Sequence, residues 1–481
     1  MAELTLRMAD GTRIVVPASL DSMTSYVILE QETWFEKEVT FVARWLRPGM
    51  TVIDIGANLG VYCLAMARLV GPAGRVFAYE PSSETRRLLT LSKEMNGLEH
   101  LHISAAALSD GEREGHLQLA ASSELNALGS GGPGETVRIT SLDAEQKARN
   151  WGAIDFIKID AEGEEERILA GAGSFFADRS PLVMFEIKAG AKQNTALPAA
   201  FIAMGFGVYR LLAGAPVLVP VDAQEHLDNY ELNLFAAKPD RAAALAREGL
   251  LVEAVPEWTP DDDIRARAQE LFEAQPFAGI FAQLPGGAVA AEPAYRDALA
   301  GYAMWRSTEL ALPQRYAALR FACDTLTALC NRQASLPRLS TLARITFELG
   351  DRTTSVKMLK VVADVLKAGT GRIMEPFWPA NPRFDSIVPG PNVVEWFVVA
   401  ALEQFEKTAF FSSMFGNSGV DLDWLSQQPL VSVEIARRRI LQRAHRGQKM
   451  EVPPRLLTPS PDHLNADVWR QGQVPNTFLH G

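Results

Sequence analysis

Hydrophobic residues recur with different spacings in the two halves of the chain. Up to about residue 240, short apolar runs alternate with stretches of helical spacing. The clearest apolar runs are TVIDI (51–55), RVFAYE (75–80), LHISAAAL (101–108), IDFIKID (154–160) and LVMFEI (182–187). Runs that are apolar on both faces and separated by helices are typical of a parallel sheet that is covered on both sides. This half is therefore predicted to be an α/β domain.

Weaker alternating patterns predict further elements around that sheet. An opening hairpin is expected at LTLR and RIVVP, which flank an Ala-Asp-Gly turn, and a helix is expected from Trp34 to Leu46. Two inserted edge strands are predicted by HLQLA and TVRITSL, and two strands that close the sheet by FGVYRLL and ELNLFAAK (near 206–238).

From about residue 241 the apolar spacing becomes helical, and this half is predicted to be mostly α-helical. The boundaries that follow are a domain at 1–240, a charged linker at 241–260 and a helical domain at 261–481, and the stretch around the linker (238–260) holds three prolines. A fragment ending near residue 240 is expected to fold alone. One stretch of the helical half resembles a single tetratricopeptide unit, but one unit is not an array and a plain helix hairpin is the favoured interpretation. The last thirty residues are polar and proline-rich, and we expect them to be partly loose.

Charge and cysteine content narrow the classes of function. The net charge of −11 and the isoelectric point near 5.3 argue against broad nucleic-acid binding, which requires a basic face. Three cysteines in helical patterns indicate thiols in a reducing compartment. The N-terminus lacks the apolar core of a signal peptide, and no run approaches the ~18 apolar residues of a membrane span. These features predict a cytoplasmic protein without a membrane span.

The stretch TVIDIGANLGVYCLAMARL (51–69) contains the first candidate binding motif. A glycine-rich turn between a strand and a helix lets a ligand approach the backbone at the helix N-terminus. The spacing Gly56-x-Asn58-x-Gly60 departs from the dinucleotide fingerprint, which disfavours a nicotinamide-dependent sugar enzyme. Asp54, directly before the turn, would repel a pyrophosphate but suits a ligand with an ammonium and a sulfonium group. S-adenosylmethionine is such a ligand.

Two later segments fit the same nucleoside. Glu80, at the end of the next strand, is placed to accept hydrogen bonds from a ribose diol. Leu108, Ser109 and Asp110 follow the third strand, where an adenine ring can be held and its amino group met by an acid. Each residue also has a purely structural reading as a turn or a helix cap. Their order along the chain nevertheless favours a nucleoside site.

At these positions the sequence resembles the FkbM-type methyltransferases. The matching segments are VIDIGANLGVYCLAMA, GPAGRVFAYEPS, AALSD and IDFIKIDAEGEEERILAGA, within about residues 24–238. The resemblance implies a Rossmann-like class I methyltransferase sheet, seven-stranded and mostly parallel, with S-adenosylmethionine as cofactor. It also implies O-methylation of hydroxyls on sugars or polyketide-like products. The helical half is not covered by it.

The segment IDFIKIDAEG carries the candidate catalytic groups. Lys158 lies on a central strand and is costly there unless paired, and Asp160 shares its face. Asp160 and Glu162 leave the carboxyl end of this strand, and Glu186 ends the neighbouring one. We expect Asp160 or Glu162 to be the general base for an acceptor hydroxyl and Glu186 to orient the substrate. The alternative is structural: Glu162 caps the following helix while Asp160 pairs with Lys158.

A metal ion is the other candidate for this acidic edge. Asp160, Glu162 and Glu186 would suit Mg²⁺ or Ca²⁺, so a divalent metal is possible but not expected. Zinc is disfavoured because the histidines are scattered and no Cys or His pair has ligand spacing.

The sequence therefore predicts an S-adenosylmethionine-dependent O-methyltransferase that acts on a hydroxyl, expected to belong to a sugar in a glycan, lipopolysaccharide or metabolite precursor. A non-catalytic scaffold with a degenerate methyltransferase fold is the main alternative. The helical half is expected to recognise the small-molecule or glycan acceptor, to bind a glycan-biosynthesis protein, or to mediate self-association. Its aromatic loop, with Phe377, Trp378 and Phe384, is the candidate contact.

Overall fold

The computed structural model describes residues 2–120, 122–129, 131–189, 192–221, 227–283 and 292–479. The strands are β1 (Glu3–Arg7), β2 (Arg13–Pro17), β3 (Thr51–Ile55), β4 (Arg75–Tyr79), β5 (Leu101–Ser104), β6 (Ala107–Leu108), β7 (Arg113–Gln118), β8 (Ala127–Leu128), β9 (Gly134–Thr140), β10 (Phe156–Ile159), β11 (Leu182–Glu186), β12 (Lys188–Ala189), β13 (Lys192–Gln193), β14 (Gly207–Leu211), β15 (Leu218–Pro220), β16 (Asn233–Ala237), β17 (Met450–Glu451) and β18 (Thr477–Phe478).

The helices of the described residues are α1 (Met23–Gln31), α2 (Glu38–Trp45), α3 (Val61–Val70), α4 (Ser83–Asn96), α5 (Leu142–Arg149), α6 (Glu165–Ala170), α7 (Gly173–Asp178), α8 (Ala196–Ala203), α9 (Pro239–Arg247), α10 (Asp262–Glu273), α11 (Pro293–Arg306), α12 (Leu312–Arg332), α13 (Leu336–Leu349), α14 (Arg352–Lys367), α15 (Val393–Ala409), α16 (Leu422–Ser426), α17 (Val433–His445) and α18 (Ala466–Arg470). Within these ranges, no helix has both the length and the apolar character that crossing a membrane requires.

The main sheet has the strand order β15-β14-β16-β11-β10-β3-β4-β5. The strands from β11 to β5 in this order pair in parallel, and the pairs on the other side are antiparallel. The sheet is therefore mixed, and it has eight strands where seven were predicted. The extra strand is β15, because the turn after β14 returns the chain so that Arg210 pairs with Val219.

Some predicted elements form in other places or with other bounds. The predicted edge strands become β7 and β9, which belong to a separate four-stranded sheet of order β6-β9-β7-β8. The run LHISAAAL divides into β5 and β6, because Ala107 and Leu108 pair with β9 instead of extending the main sheet. The helix predicted from Trp34 begins only at Glu38.

The two halves share hydrophobic cores. One buried cluster contains residues of the β1–β2 hairpin and of one face of the main sheet. It also contains Ile440 and Leu441 of α17 and Trp469 of α18. A second cluster consists mainly of residues from the C-terminal helices and includes Leu212, directly after β14, and Val219 of β15. The C-terminal segment is therefore packed rather than loose, because its apolar side chains complete the core beneath the opening hairpin.

Buried polar contacts also join α1 to the C-terminal half. Arg438 Nη2 lies 3.3 Å from Glu30 Oε1, and both side chains are almost fully buried. Glu32 accepts hydrogen bonds of 2.8 Å from the Leu464 backbone N–H. The hydroxyl of Tyr26 lies 2.9 Å from Ser413 Oγ. The first helix is thus held by both halves of the chain.

The aromatic loop of the helical half does not form an exposed contact surface. Phe377, Trp378 and Phe384 are at most 1% exposed and lie within the core of the C-terminal helices. Phe377 packs edge-on against Phe397, with ring centroids 5.1 Å apart. Buried rings cannot contact an acceptor, so the prediction for this loop is wrong.

Candidate active site

A cavity of about 560 Å³ lies at the carboxyl ends of β3, β4, β10 and β11. Parallel sheets of this type bind ligands at that edge. Most of the residues predicted for the site line the cavity: Asp54, Gly56, Asn58, Glu80, Leu108, Lys158, Asp160, Glu162 and Glu186. Gly60, Ser109 and Asp110 are not among the lining residues. The tertiary structure thus gathers side chains that are separated by up to 132 positions in the sequence.

The turn after β3 depends on three left-handed residues. Gly56, Asn58 and Gly60 have φ angles of 79°, 48° and 97°, which favour glycine and tolerate asparagine. A Cβ atom on Gly56 would lie 1.7 Å from the backbone oxygen of Asp160. The spacing seen in the sequence is therefore required by this turn, and Gly60 contributes to its shape rather than to the wall of the cavity.

Asp54 is the most unusual side chain in the cavity. It is 1% exposed, and neither carboxylate oxygen has a hydrogen-bond partner of normal geometry among the described residues. Burial raises the pKa of Asp54 to about 6, although the nearby charge of Lys158 and the backbone N–H of Cys63 favour the charged form. A buried, unpartnered carboxylate beside a cavity is a ready receptor for a cationic group.

Glu80 is held in position by the backbone. Its two oxygens accept hydrogen bonds from the N–H groups of Asn58 at 2.9 Å and Ser82 at 2.8 Å. Burial nevertheless raises the pKa of Glu80 to about 7. A carboxylate has about four lone-pair positions, so Glu80 can still accept hydrogen bonds from a bound diol.

Of the three residues predicted to hold the adenine ring, Leu108, Ser109 and Asp110, only Leu108 lines the cavity. Leu108 lines it, whereas the Ser109 hydroxyl donates a 2.6 Å hydrogen bond to Glu164 Oε2. Asp110 lies outside and forms an exposed ion pair with Arg113. Glu164 itself lines the cavity and was missed by the sequence reasoning. It is one of five acids in the segment 160–166, and the local pattern does not single it out.

The ion pair predicted between Lys158 and Asp160 is present. Lys158 Nζ lies 2.5 Å from Asp160 Oδ2, and Lys158 is 4% exposed. Burial opposes its charge, but the carboxylates of Asp160, Asp54 and Glu36 outweigh burial and raise the pKa of Lys158 above its ordinary value. Lys158 therefore stays cationic and holds Asp160 in place.

Glu162 projects into the cavity from a left-handed backbone position, with φ 47°. A non-glycine residue in this region is uncommon and often marks a functional site. The capping role predicted for Glu162 is taken by Glu165. Its carboxylate accepts hydrogen bonds from the turn before α6, from Ala161 N–H at 2.9 Å and from Gly163 N–H at 3.1 Å. Burial and the neighbouring charge of Asp160 raise the pKa of Glu162 to about 7.

Glu186 completes an acidic group with Asp160 and Glu162. One oxygen from each of the three carboxylates lies within 4.8 Å of the others. Burial, followed by the charges of Asp160 and Glu162, raises the pKa of Glu186 well above its ordinary value. The oxygens are of the type that Mg²⁺ or Ca²⁺ prefers, but Asp160 already has an ammonium partner.

The sequence reasoning missed one wall of the cavity. Tyr62, at the start of α3, donates a 2.5 Å hydrogen bond to Glu36 Oε2, and Lys158 Nζ lies 5.0 Å from its ring centroid. An aromatic group beside them contains Trp34, Phe35, Phe411 and Phe415. The two adjacent aromatic residues Trp34 and Phe35 were a signal in the sequence that could have indicated an aromatic surface at the site. No local pattern could connect Phe411 and Phe415 to this site, because they are 225 or more positions beyond Glu186.

Solved structures similar to this chain include several methyltransferases. A methyltransferase FkbM from Methylobacillus flagellatus KT is 14% identical over 44% of this chain and 58% of its own, with a TM-score of 0.28. An S-adenosylmethionine-dependent O-methyltransferase from Thermotoga maritima is 17% identical over 49% and 77%, with a TM-score of 0.26. Fibrillarin from Aeropyrum pernix is 11% identical over 49% and 82%, with a TM-score of 0.25.

The comparison by family gives a more specific result. Residues 54–208 match the family model described as the methyltransferase FkbM domain. The search of curated proteins found no match. The matched region begins at Asp54 and includes the residues of β4, β10 and β11 that surround the cavity. The match to the FkbM methyltransferase domain over residues 54–208 confirms the resemblance that the sequence predicted.

Proposed function

We propose that the protein is an S-adenosylmethionine-dependent O-methyltransferase whose cofactor lies beside Asp54 and Glu80. The observation that carries this proposal is the buried Asp54 carboxylate, neither of whose oxygens has a hydrogen bond of normal geometry among the described residues. Leaving such a group unpaired costs about 1–3 kcal/mol, and a cationic ligand would remove that cost. S-adenosylmethionine carries an ammonium and a sulfonium group, and it supplies the transferable methyl group when bound.

The other cofactor residues have separate roles in this proposal. Gly56 and Asn58 form the turn over which the nucleoside lies, and Glu80 accepts hydrogen bonds from the ribose hydroxyls. Leu108 supplies an apolar contact for the adenine ring. Asp110 has no part in it, because its carboxylate is outside the cavity and paired with Arg113.

Glu162 is the proposed general base. Its pKa of about 7 is close to the pH at which the enzyme is expected to work, so it can accept a proton from the acceptor hydroxyl. Asp160 is a poorer candidate because its Oδ2 is already bonded to the Lys158 ammonium at 2.5 Å. Lys158 and Asp160 therefore position the acceptor, and Glu186 orients it by hydrogen bonding. Holding the hydroxyl near the reacting carbon supplies much of the catalysis.

The proposed acceptor is a hydroxyl of a sugar in a glycan, lipopolysaccharide or metabolite precursor. The resemblance to FkbM-type methyltransferases supports this choice. The proposed compartment is the cytoplasm, which the three free cysteines favour.

Calorimetry with S-adenosylmethionine and with NAD tests the cofactor. Binding of S-adenosylmethionine alone is expected, and binding of NAD alone would overturn the proposal. Transfer of a labelled methyl group to glycan extracts then separates an enzyme from a non-catalytic scaffold. The Glu162→Gln variant is the matched inactive control for that assay.

A further inference from the structure

The cavity has an aromatic wall built from both halves of the chain. Trp34 and Phe35 precede α2, and their ring centroids are 4.5 Å apart. Phe35 lies 5.1 Å from Phe411 and 6.3 Å from Phe415, measured between ring centroids. All four rings line the same cavity as the acidic residues Asp160, Glu162 and Glu186. This group of four residues is called the aromatic wall below.

The ring of Phe411 is fixed from behind. The guanidinium carbon of Arg352 lies 4.3 Å from the Phe411 ring centroid and 4.6 Å from that of Tyr230. Arg352 Nε also donates a 2.8 Å hydrogen bond to the carbonyl oxygen of Thr408, which lies in the last turn of α15, three residues before Phe411. The Tyr230 hydroxyl donates to the carbonyl oxygen of Ala409 at 3.0 Å. The wall is therefore a supported surface and not a chance contact between mobile rings.

The charged residues of the cavity are mostly acidic. Among the described lining residues, Lys158 is the one Lys or Arg. The acids that line the cavity are Glu36, Asp54, Glu80, Glu124, Asp160, Glu162, Glu164 and Glu186. A bound S-adenosylmethionine would offset part of this charge near Asp54. Burial raises the pKa of Glu36, Glu162 and Glu186, so these acids carry only part of their charge near neutral pH. The acids that stay ionised would still repel an anionic acceptor, since charges in a partly buried site are weakly screened.

We infer that the acceptor is a hydroxylated ring compound of neutral or positive charge, whose apolar face lies on the aromatic wall. Aromatic rings stack well on flat apolar faces, and they attract cations. The C-terminal half thereby supplies Phe411 and Phe415 to the acceptor subsite of the N-terminal half. This inference rests on the proposed function, because it assigns the part of the cavity that the cofactor leaves free.

Three phenyl glycosides that share an aromatic ring and a sugar ring test the inference. They are phenyl β-D-glucoside, its 2-amino-2-deoxy analogue and phenyl β-D-glucuronide, which are neutral, cationic and anionic. Their affinities are measured by calorimetry on the full chain in the presence of S-adenosylhomocysteine. The neutral and cationic probes are expected to bind at least ~10-fold more tightly than the glucuronide, the effect of a charge facing several carboxylates.

Substitutions locate the binding surface. Phe411→Leu and Phe415→Ala are each expected to weaken binding of the neutral probe by roughly 5-fold or more, the scale of a lost aromatic contact. Phe478→Ala is the matched control: Phe478 is 45% exposed, close to the 43% of Phe415, and lies outside the cavity. The Phe478→Ala variant should bind the neutral probe as tightly as the wild type does.

The outcomes separate this inference from the proposed function. Failure of S-adenosylmethionine to bind the wild type would remove the proposed function itself. With that binding intact, tighter binding of the glucuronide, failure of all three probes to bind, or equal affinity in the Phe411 and Phe415 variants would each overturn the inference alone.

Discussion

The ammonium of Lys158, on strand β10, lies 2.5 Å from Oδ2 of Asp160, the residue directly after that strand. Asp54, on the adjacent strand β3, pairs in register with Lys158, and its carboxylate has no hydrogen bond of normal geometry among the described residues. One buried cation thus faces two carboxylates but bonds to one of them. The second carboxylate, that of Asp54, is left for a cationic ligand.

Replacing Asp54 by asparagine is expected to weaken S-adenosylmethionine binding by about 1.5–3 kcal/mol, the scale of a hydrogen bond to a charged group. The amide keeps the shape of the side chain but removes its charge. Calorimetry measures the change. Asp364→Asn, on the exposed face of α14, is the control and should bind as the wild type. Equal affinity in the two variants would contradict the role given to Asp54.

The affinity for S-adenosylmethionine should also depend on pH. The pKa of Asp54 is raised to about 6, so its carboxylate takes up a proton as the pH falls through that value. A protonated carboxyl no longer attracts a cation, and the affinity is expected to fall by about 10-fold per pH unit well below 6. Calorimetry between pH 5 and 8 measures this slope. The Asp54→Asn variant should lose most of it, whereas an unchanged slope would point to another group.

Glu162→Gln is expected to lower turnover by ~100-fold or more, the usual contribution of a general base. Cofactor affinity should change little. Because the pKa of Glu162 is raised to about 7, turnover of the wild type should rise as the pH increases through 7 and the carboxylate loses its proton. The variant should lose this rise. Asp160→Asn provides the comparison: a larger loss there, with the rise through pH 7 kept, would make Asp160 the base.

Removal of divalent metal ions is expected to leave turnover unchanged within about 2-fold. Asp160 already bonds to the ammonium of Lys158, which competes with a metal ion for the same oxygen. Protein treated with EDTA and then desalted is assayed with and without added Mg²⁺. Loss of activity on chelation and its return with Mg²⁺ would instead assign Asp160, Glu162 and Glu186 as metal ligands.

Arg438→Met is expected to lower the free energy of unfolding by about 3–5 kcal/mol, because it leaves the buried carboxylate of Glu30 without its cationic partner. Arg470→Met is the control. Arg470 forms an exposed ion pair with Asp467, and its loss should cost at most ~1 kcal/mol. Urea unfolding of both variants measures the difference, and equal stabilities would show that the buried pair contributes little.

The same contacts change the expectation for a fragment that ends near residue 240. Such a fragment would expose Glu30, Glu32 and the apolar side chains that pack against Ile440 and Trp469. We now expect it to be poorly soluble or unfolded, although its sequence pattern is that of a complete α/β domain. Circular dichroism of the purified fragment tests this expectation. A cooperative thermal transition like that of the full chain would favour independent folding.

The sequence by itself determined the elements whose signals are local. The apolar runs predicted β3, β4, β10 and β11, since strands covered on both faces need apolar residues at most positions. The spacing of Gly56, Asn58 and Gly60 predicted the turn, because its left-handed backbone angles exclude most other residues. Lys158 and Asp160 could be paired from sequence alone because alternate residues of a strand share a face.

Only the tertiary structure decided the features that depend on distant contacts. Phe411 and Phe415 enter the cavity because the chain after α15 returns to the N-terminal half, and no local spacing records that path. Asp110 and Glu80 both follow strands. Asp110 pairs with Arg113 outside the cavity, whereas Glu80 is held inside it by the backbone of Asn58 and Ser82. Packing and charge pairing, which are set by neighbours far apart in sequence, made that distinction.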